Sequence, residues 1–164
     1  MTSISELLRH QLQFTTWAAN RILTAVAALT PDELTQDFKT SEKTILATLV
    51  HCYRAERVWL KRLQGEKADF KIEGDDTLAA LQTNWPALRT EWSTWGQRLT
   101  DEKASAGFSY SDLKGNPWTQ PVWMLVQQVT NHSSHHRGQA VGFIRALGHT
   151  PPNVDFITFA REIS

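Results

Sequence analysis

The sequence contains a single cysteine, Cys52, so the chain cannot form an internal disulfide. One free cysteine suits a reducing compartment, and the N-terminus lacks the basic and then apolar segments of a signal peptide. We therefore predict a cytoplasmic protein. The 164 residues predict one domain, 1–164. A chain of this length buries roughly 70% of the surface that its unfolded form exposes, so its folding requires neither a disulfide nor a structural metal.

The sequence also lacks an excess of charge of either sign, because 17 Lys and Arg balance 17 Asp and Glu. Nucleic-acid binders and polybasic membrane-surface proteins both depend on clustered cationic residues. Long apolar runs are missing too. The longest, 25–29 and 122–126, fall far short of the roughly 18 residues that a membrane span needs. We predict that neither nucleic acid nor a membrane is a partner.

Glycine and proline are few, eight and six, and they lie mostly between segments of helical periodicity. The pattern predicts an all-α fold, a four-helix bundle. The expected helices begin at Ser3 or Ser5, after a cap at Ser41, after a cap at Asp75 or Asp76, and near Pro121, and the last ends near Leu147.

The connections of the expected bundle differ in length and character. Residues 65–76 are polar and predict a long crossover between the second and third helices. Residues 107–121 predict a small hairpin or an ordered loop before the fourth helix. Pro86 should kink or split the third helix. The tail, 153–164, is consistent with either a strand-like cover or one further helical turn.

Six histidines stand out in an otherwise ordinary composition. His132 and His136 lie one turn apart on the apolar stripe of the fourth helix, so both imidazoles can bind one metal ion. His51 is the natural third ligand, because its stripe on the second helix is small or apolar. A lone histidine on such a face is more often a hydrogen-bonded core residue. The ring nitrogens of a buried pair, however, are hard to provide with partners without a metal or a carboxylate. The others, His10, His135 and His149, we assign to surface or loop.

The segment around the histidine pair resembles a known family. Residues 132–139, His-Ser-Ser-His-His-Arg-Gly-Gln, match the H-x-x-x-H-R-G-Q motif of the DinB/YfiT-like superfamily of metal-binding four-helix proteins. The segments that begin at Pro121 and at Leu147 are similar to that family as well, and the resemblance covers the whole chain in order. It implies that a metal is held by His51, His132 and His136.

Three neutral imidazoles leave open positions on a divalent metal ion, and Zn, Ni, Fe and Mn are all compatible with them. The resemblance implies a metal-dependent enzyme acting on a small-molecule substrate. Such an enzyme is either a hydrolase or a thiol S-transferase that uses a low-molecular-weight thiol. The alternative is a noncatalytic metal- or ligand-binding bundle. The expected assembly is a homodimer formed through an apolar helix face.

Weaker candidates for a catalytic or supporting role are Glu56, five residues beyond His51, and Gln139, near the metal-binding face. Cys52 lies about 100° around the helix from His51, which favours core packing. Trp59 fits a core stripe. The shape of a pocket depends on the loops 65–76 and 104–120, whose course the residue pattern does not predict.

Overall fold

Four long helices dominate the computed structural model, which describes residues 2–112 and 114–163. They are α1 (Ile4–Val26), α3 (Ile45–Leu63), α4 (Leu78–Gln97) and α6 (Val122–Ala146). The described part also contains three short helices, α2 (Pro31–Thr35), α5 (Asp101–Ser105) and α7 (Phe156–Glu162). Its two strands are β1 (Gly107–Ser111) and β2 (Pro117–Pro121).

The apolar faces of the long helices meet in one core, and their burial holds the bundle together. α6 packs against both α1 and α3, and α4 packs against the same two helices from the other side. Each long helix contributes at least one completely buried side chain, among them Ile22, Leu49, Trp85 and Val126. The predicted helical bundle is therefore confirmed. None of the helices in the described part of the chain combines the length and apolar character that a membrane span requires.

The helix caps differ in part from those predicted. Ser3 caps α1 as expected, but the caps predicted at Ser41 and at Asp75 or Asp76 are wrong. Thr44 and Thr77 cap α3 and α4 instead, and each side-chain oxygen accepts a backbone N–H three residues on. Asp75 is unavailable as a cap because it is buried in an ion pair with an arginine of α3.

Pro86 lies inside α4, and the helix continues through it, so the predicted split is wrong. The proline removes one backbone donor, but Trp85 and Leu88 on either side are buried and hold both halves against the core. In the tail, the helical alternative is confirmed and the strand-like one is wrong. Phe159 of α7 is buried against the aromatic rings of α1.

Two non-helical segments approach the same face of α3. The predicted hairpin is confirmed, with β1 and β2 antiparallel and Tyr110 opposite Trp118. The predicted crossover, 65–76, contains no helix or strand and carries Phe70 to within 5.5 Å of the His51 ring, measured between centroids. Both segments therefore contribute walls to the region around His51.

Candidate metal centre

Packing of α3 against α6 brings three histidines together. His51 projects from α3, and His132 and His136 project from α6. The Nε2 atom of His132 lies 3.1 Å from that of His51 and 3.2 Å from that of His136. His136 is 6% exposed, while His51 and His132 are half-buried. The structure thus places all three predicted ligands in one cluster.

Two of the three separations are close to those of histidine nitrogens on one metal ion. The candidate ligand atoms of the three residues all lie within 4.8 Å of one another. Two histidine nitrogens bound to zinc at 2.0–2.1 Å in a tetrahedral arrangement are about 3.3 Å apart. The two short Nε2 separations, both at His132, are close to that value, so the cluster is compatible with a small divalent cation.

Polar groups behind two of the rings favour the tautomer whose Nε2 lone pair faces the cluster. Nδ1 of His136 donates to Oε1 of Gln139 at 2.8 Å, which leaves Nε2 of the neutral ring as an acceptor. The carboxylate of Glu42 lies 3.6 Å from Nδ1 of His51 and favours the same tautomer there. His132 has one Nε2 proton at most and cannot donate it to both neighbours. A metal ion among the rings would accept all three Nε2 lone pairs at once.

The histidines of α6 also resist protonation. Burial, and then the neighbouring His136 and His51, lower the pKa of His132 from 6.5 to about 4. Burial lowers the pKa of His136 as well, against the opposing effect of Gln139. Both rings are therefore neutral at pH 7, so a metal ion need not displace a proton from them.

The lowered pKa of His132 makes the stability of the metal-free protein depend on pH. Between pH 6.5 and about 4, the unfolded chain binds a proton at His132 that the folded protein does not, so unfolding becomes easier as the pH falls. We expect chelator-treated wild type to lose more stability between pH 7 and pH 5 than His132→Gln does. Urea unfolding at the two pH values measures this difference, and equal losses would contradict it.

Glu56 is placed behind the metal centre, in the core. It is 2% exposed, and its carboxylate accepts hydrogen bonds from Trp85 Nε1 at 2.7 Å and Ser133 Oγ at 2.7 Å. Nη2 of Arg89, itself 3% exposed, lies 3.3 Å away and completes a buried ion pair. Because Ser133 directly follows His132, the carboxylate anchors the part of α6 that carries two of the candidate metal ligands.

The remaining candidates lie outside the histidine cluster. Cys52 is buried, and burial, followed by the Glu56 charge, raises the pKa of its thiol to about 12, in agreement with core packing. His135 is exposed beside His136, and His149 is exposed and pairs with a glutamate of α2. His10 lies on the surface of α1, where its Nδ1 is 3.1 Å from a backbone carbonyl oxygen one turn earlier.

A cavity of about 500 Å³ adjoins the metal centre. It begins at His51 and His132, follows α3 as far as Arg62, and is walled by aromatic rings. Those rings belong to Trp59 of α3, Phe70 of the crossover and Tyr110 of the hairpin. A larger cavity of about 620 Å³ lies between α1 and α4. The smaller one is the candidate binding site because two candidate metal ligands line it.

The residue pattern did not predict which aromatic side chains line this cavity. Trp59 packs against the core as predicted but also lines the cavity. One face of α3 lines the cavity, at residues 51, 55, 58, 59 and 62. On that face, the small side chain at 55 leaves space and the arginine at 62 is unusual beside a core, and this pattern could have indicated a cavity. Phe70 and Tyr110 lie in segments without helical periodicity, so their position depended on the tertiary structure.

Comparisons with known proteins agree with the fold. The crystal structure of a DinB-like protein from Bacillus cereus is similar, with a TM-score of 0.67 and 22% identity over 88% of this chain and 95% of that chain. At this identity the likeness shows the fold alone. No curated protein matches the chain. The model of the DinB family matches residues 2–163, which confirms the resemblance carried by the histidine motif. The chain belongs to the DinB family.

Proposed function

We propose that the protein is a metal-dependent enzyme, a thiol S-transferase or a hydrolase, acting on a small molecule in the cavity beside the metal centre. The observation that carries this proposal is the convergence of three imidazoles, two of which line one end of a 500 Å³ cavity. The cofactor would be one divalent ion, Zn, Ni, Fe or Mn, bound by His51, His132 and His136.

A divalent ion held by three imidazoles keeps positions open for a ligand and lowers the pKa of a water or thiol bound there. The protein orients the imidazole rings that would hold this ion. Gln139 holds the His136 ring through Nδ1, and Glu42 lies behind Nδ1 of His51. The rings of Trp59, Phe70 and Tyr110 line one side of the cavity, and an apolar wall of this kind limits the access of solvent to a metal site.

The two weaker candidates receive different roles in this proposal. Gln139 is a positioning residue that sets the tautomer of His136. Glu56 is assigned a supporting role, because Trp85, Arg89 and Ser133 already occupy its carboxylate in the core. A general base must reach the proton it removes, and Glu56 is buried and does not line the cavity.

An activity screen of the metal-loaded protein tests the proposal. We would measure consumption of 1-chloro-2,4-dinitrobenzene with glutathione, bacillithiol or mycothiol, and hydrolysis of 4-nitrophenyl acetate. The expected result is activity in one arm that is lost on chelation and in His136→Ala and retained in His135→Ala. Uniform inactivity of the loaded protein would favour the noncatalytic alternative. Light scattering of the same preparation tests the homodimer that we also propose, because a monomer mass would contradict it.

A further inference from the structure

Arg62 lies at the far end of the cavity from the metal centre. It follows His51 by eleven residues on the same face of α3, so their Cα atoms are about 16 Å apart along the helix axis. A helical side chain leans toward the helix N-terminus, which directs the guanidinium of Arg62 back toward the histidines. A molecule that contacts both must span on the order of 10 Å.

The guanidinium of Arg62 is held in place but is left without an acceptor. It packs over the rings of Trp59 and Tyr110, with its central carbon 5.0 Å and 5.8 Å from their centroids. Within residues 2–112 and 114–163, it makes no hydrogen bond or ion pair, and Tyr110 and Asp112 act on its pKa only through their charges, against the effect of burial. Burial lowers the pKa of Arg62, which indicates that the group is already partly stripped of water.

Three other arginines of the bundle, unlike Arg62, have hydrogen-bond or ion-pair partners within the described part of the protein. Arg54 pairs with Asp75, Arg57 donates to a backbone carbonyl, and Arg89 pairs with Glu56. Those guanidinium groups stabilise the fold. Arg62 instead lines the cavity with its fork of donors unpaired, which is the arrangement that a bound anion would complete.

The charged residues of the cavity wall favour an anionic ligand. They are Arg62, Lys114 and Asp112, which together carry one net positive charge. The carboxylate of Asp112 is occupied within its own loop, where it accepts hydrogen bonds from Asn116 and Trp118. Those contacts, with Asn116 the largest, lower the pKa of Asp112 to about 2. A divalent ion at the histidines would add further positive charge.

The position of Arg62 favours a carboxylate over a phosphate. It lies in the last turn of α3, where the helix dipole is negative and disfavours a dianion. Phosphate sites usually add backbone N–H groups at a helix N-terminus, which this end of the cavity does not supply. A single planar guanidinium matches the two oxygens of one carboxylate.

We propose that Arg62 binds a carboxylate of the substrate, while the reacting end of that molecule lies at the histidine centre. The inference rests on the proposed function, since it names the substrate class of that site: an elongated small molecule with a carboxylate about 10 Å from its reactive group. Trp59 and Tyr110 act here as positioning residues that hold the guanidinium in its plane.

A series of linear ω-mercaptocarboxylates and the matched ω-mercaptoalcohols tests this inference. We would measure their affinity for zinc-loaded protein by calorimetry, varying the chain from two to ten methylene groups. The acid should bind at least about tenfold more tightly than the alcohol at one optimal length, because a charge-assisted hydrogen bond is lost with the alcohol. The preference should disappear in Arg62→Gln and shrink strongly in Arg62→Lys. Arg145→Gln, which changes an exposed arginine of α6, is the control and should behave as wild type.

A second arm separates this inference from the proposed function. Octanoate and octanol are titrated into metal-free wild type and metal-free Arg62→Gln. In one outcome, thiols fail to bind the loaded protein while octanoate still binds in an Arg62-dependent way. That result would contradict the thiol chemistry of the proposed function and support the carboxylate site at Arg62. Equal affinity for acids and alcohols in wild type, or an acid preference that survives in Arg62→Gln, would overturn the inference.

Discussion

Replacing His132 with alanine is expected to abolish stoichiometric metal binding. Nε2 of His132 is the atom closest to both other ligands, at 3.1 Å and 3.2 Å, so the change removes the centre of the cluster. Losing a supporting residue of a metal site typically costs 10–100-fold in affinity, and losing a ligand should cost more than about 100-fold. Protein purified without a histidine tag should hold about one divalent ion per chain as wild type and none as His132→Ala.

The matched control is His135→Ala. His135 is exposed on the same helix, and its ring centroid is 4.9 Å from that of His136, so the substitution changes the local histidine content without removing a candidate ligand. It should keep wild-type metal content, measured by elemental analysis, and wild-type affinity, measured by calorimetry. Wild type that takes up no divalent metal under metal-replete conditions would contradict the metal centre.

Replacing Glu56 with alanine is expected to lower the free energy of unfolding by about 3–5 kcal/mol. Glu56 and Arg89 are 2% and 3% exposed, so the variant leaves a guanidinium buried without its counter-charge. It also removes the acceptor of Trp85 Nε1 and Ser133 Oγ. Urea unfolding of the metal-free protein measures the loss without a contribution from bound metal.

Glu91→Ala provides the comparison on the surface of the same bundle. Glu91 is half-exposed and pairs with Lys61 at 3.6 Å, so its loss should cost less than about 1 kcal/mol. Glu56→Gln keeps the shape of the side chain and tests the charge alone. If Glu56→Ala were as stable as Glu91→Ala, the buried ion pair would not support the fold, and the assignment of Glu56 to the core would be wrong.

Local sequence pattern predicted the four long helices, because apolar side chains at helical spacing can be buried only on one face of a helix. The same rule placed His132 and His136 together, since residues four apart on a helix are neighbours regardless of the rest of the fold. The helix ends were less predictable. Thr44 and Thr77 compete with nearby cap formers, and the ion pair that occupies Asp75 involves an arginine 21 residues away.

By itself, therefore, the sequence determined the helices, the histidine pair on α6 and the candidate third ligand on α3. The tertiary structure decided that α3 packs on α6 and brings His51 to His132, that Glu56 is buried against Arg89, and that Phe70 and Tyr110 wall a cavity ending at Arg62. These contacts join residues far apart in the chain. They depend on how helices and loops pack, and helical periodicity carries no information about that packing.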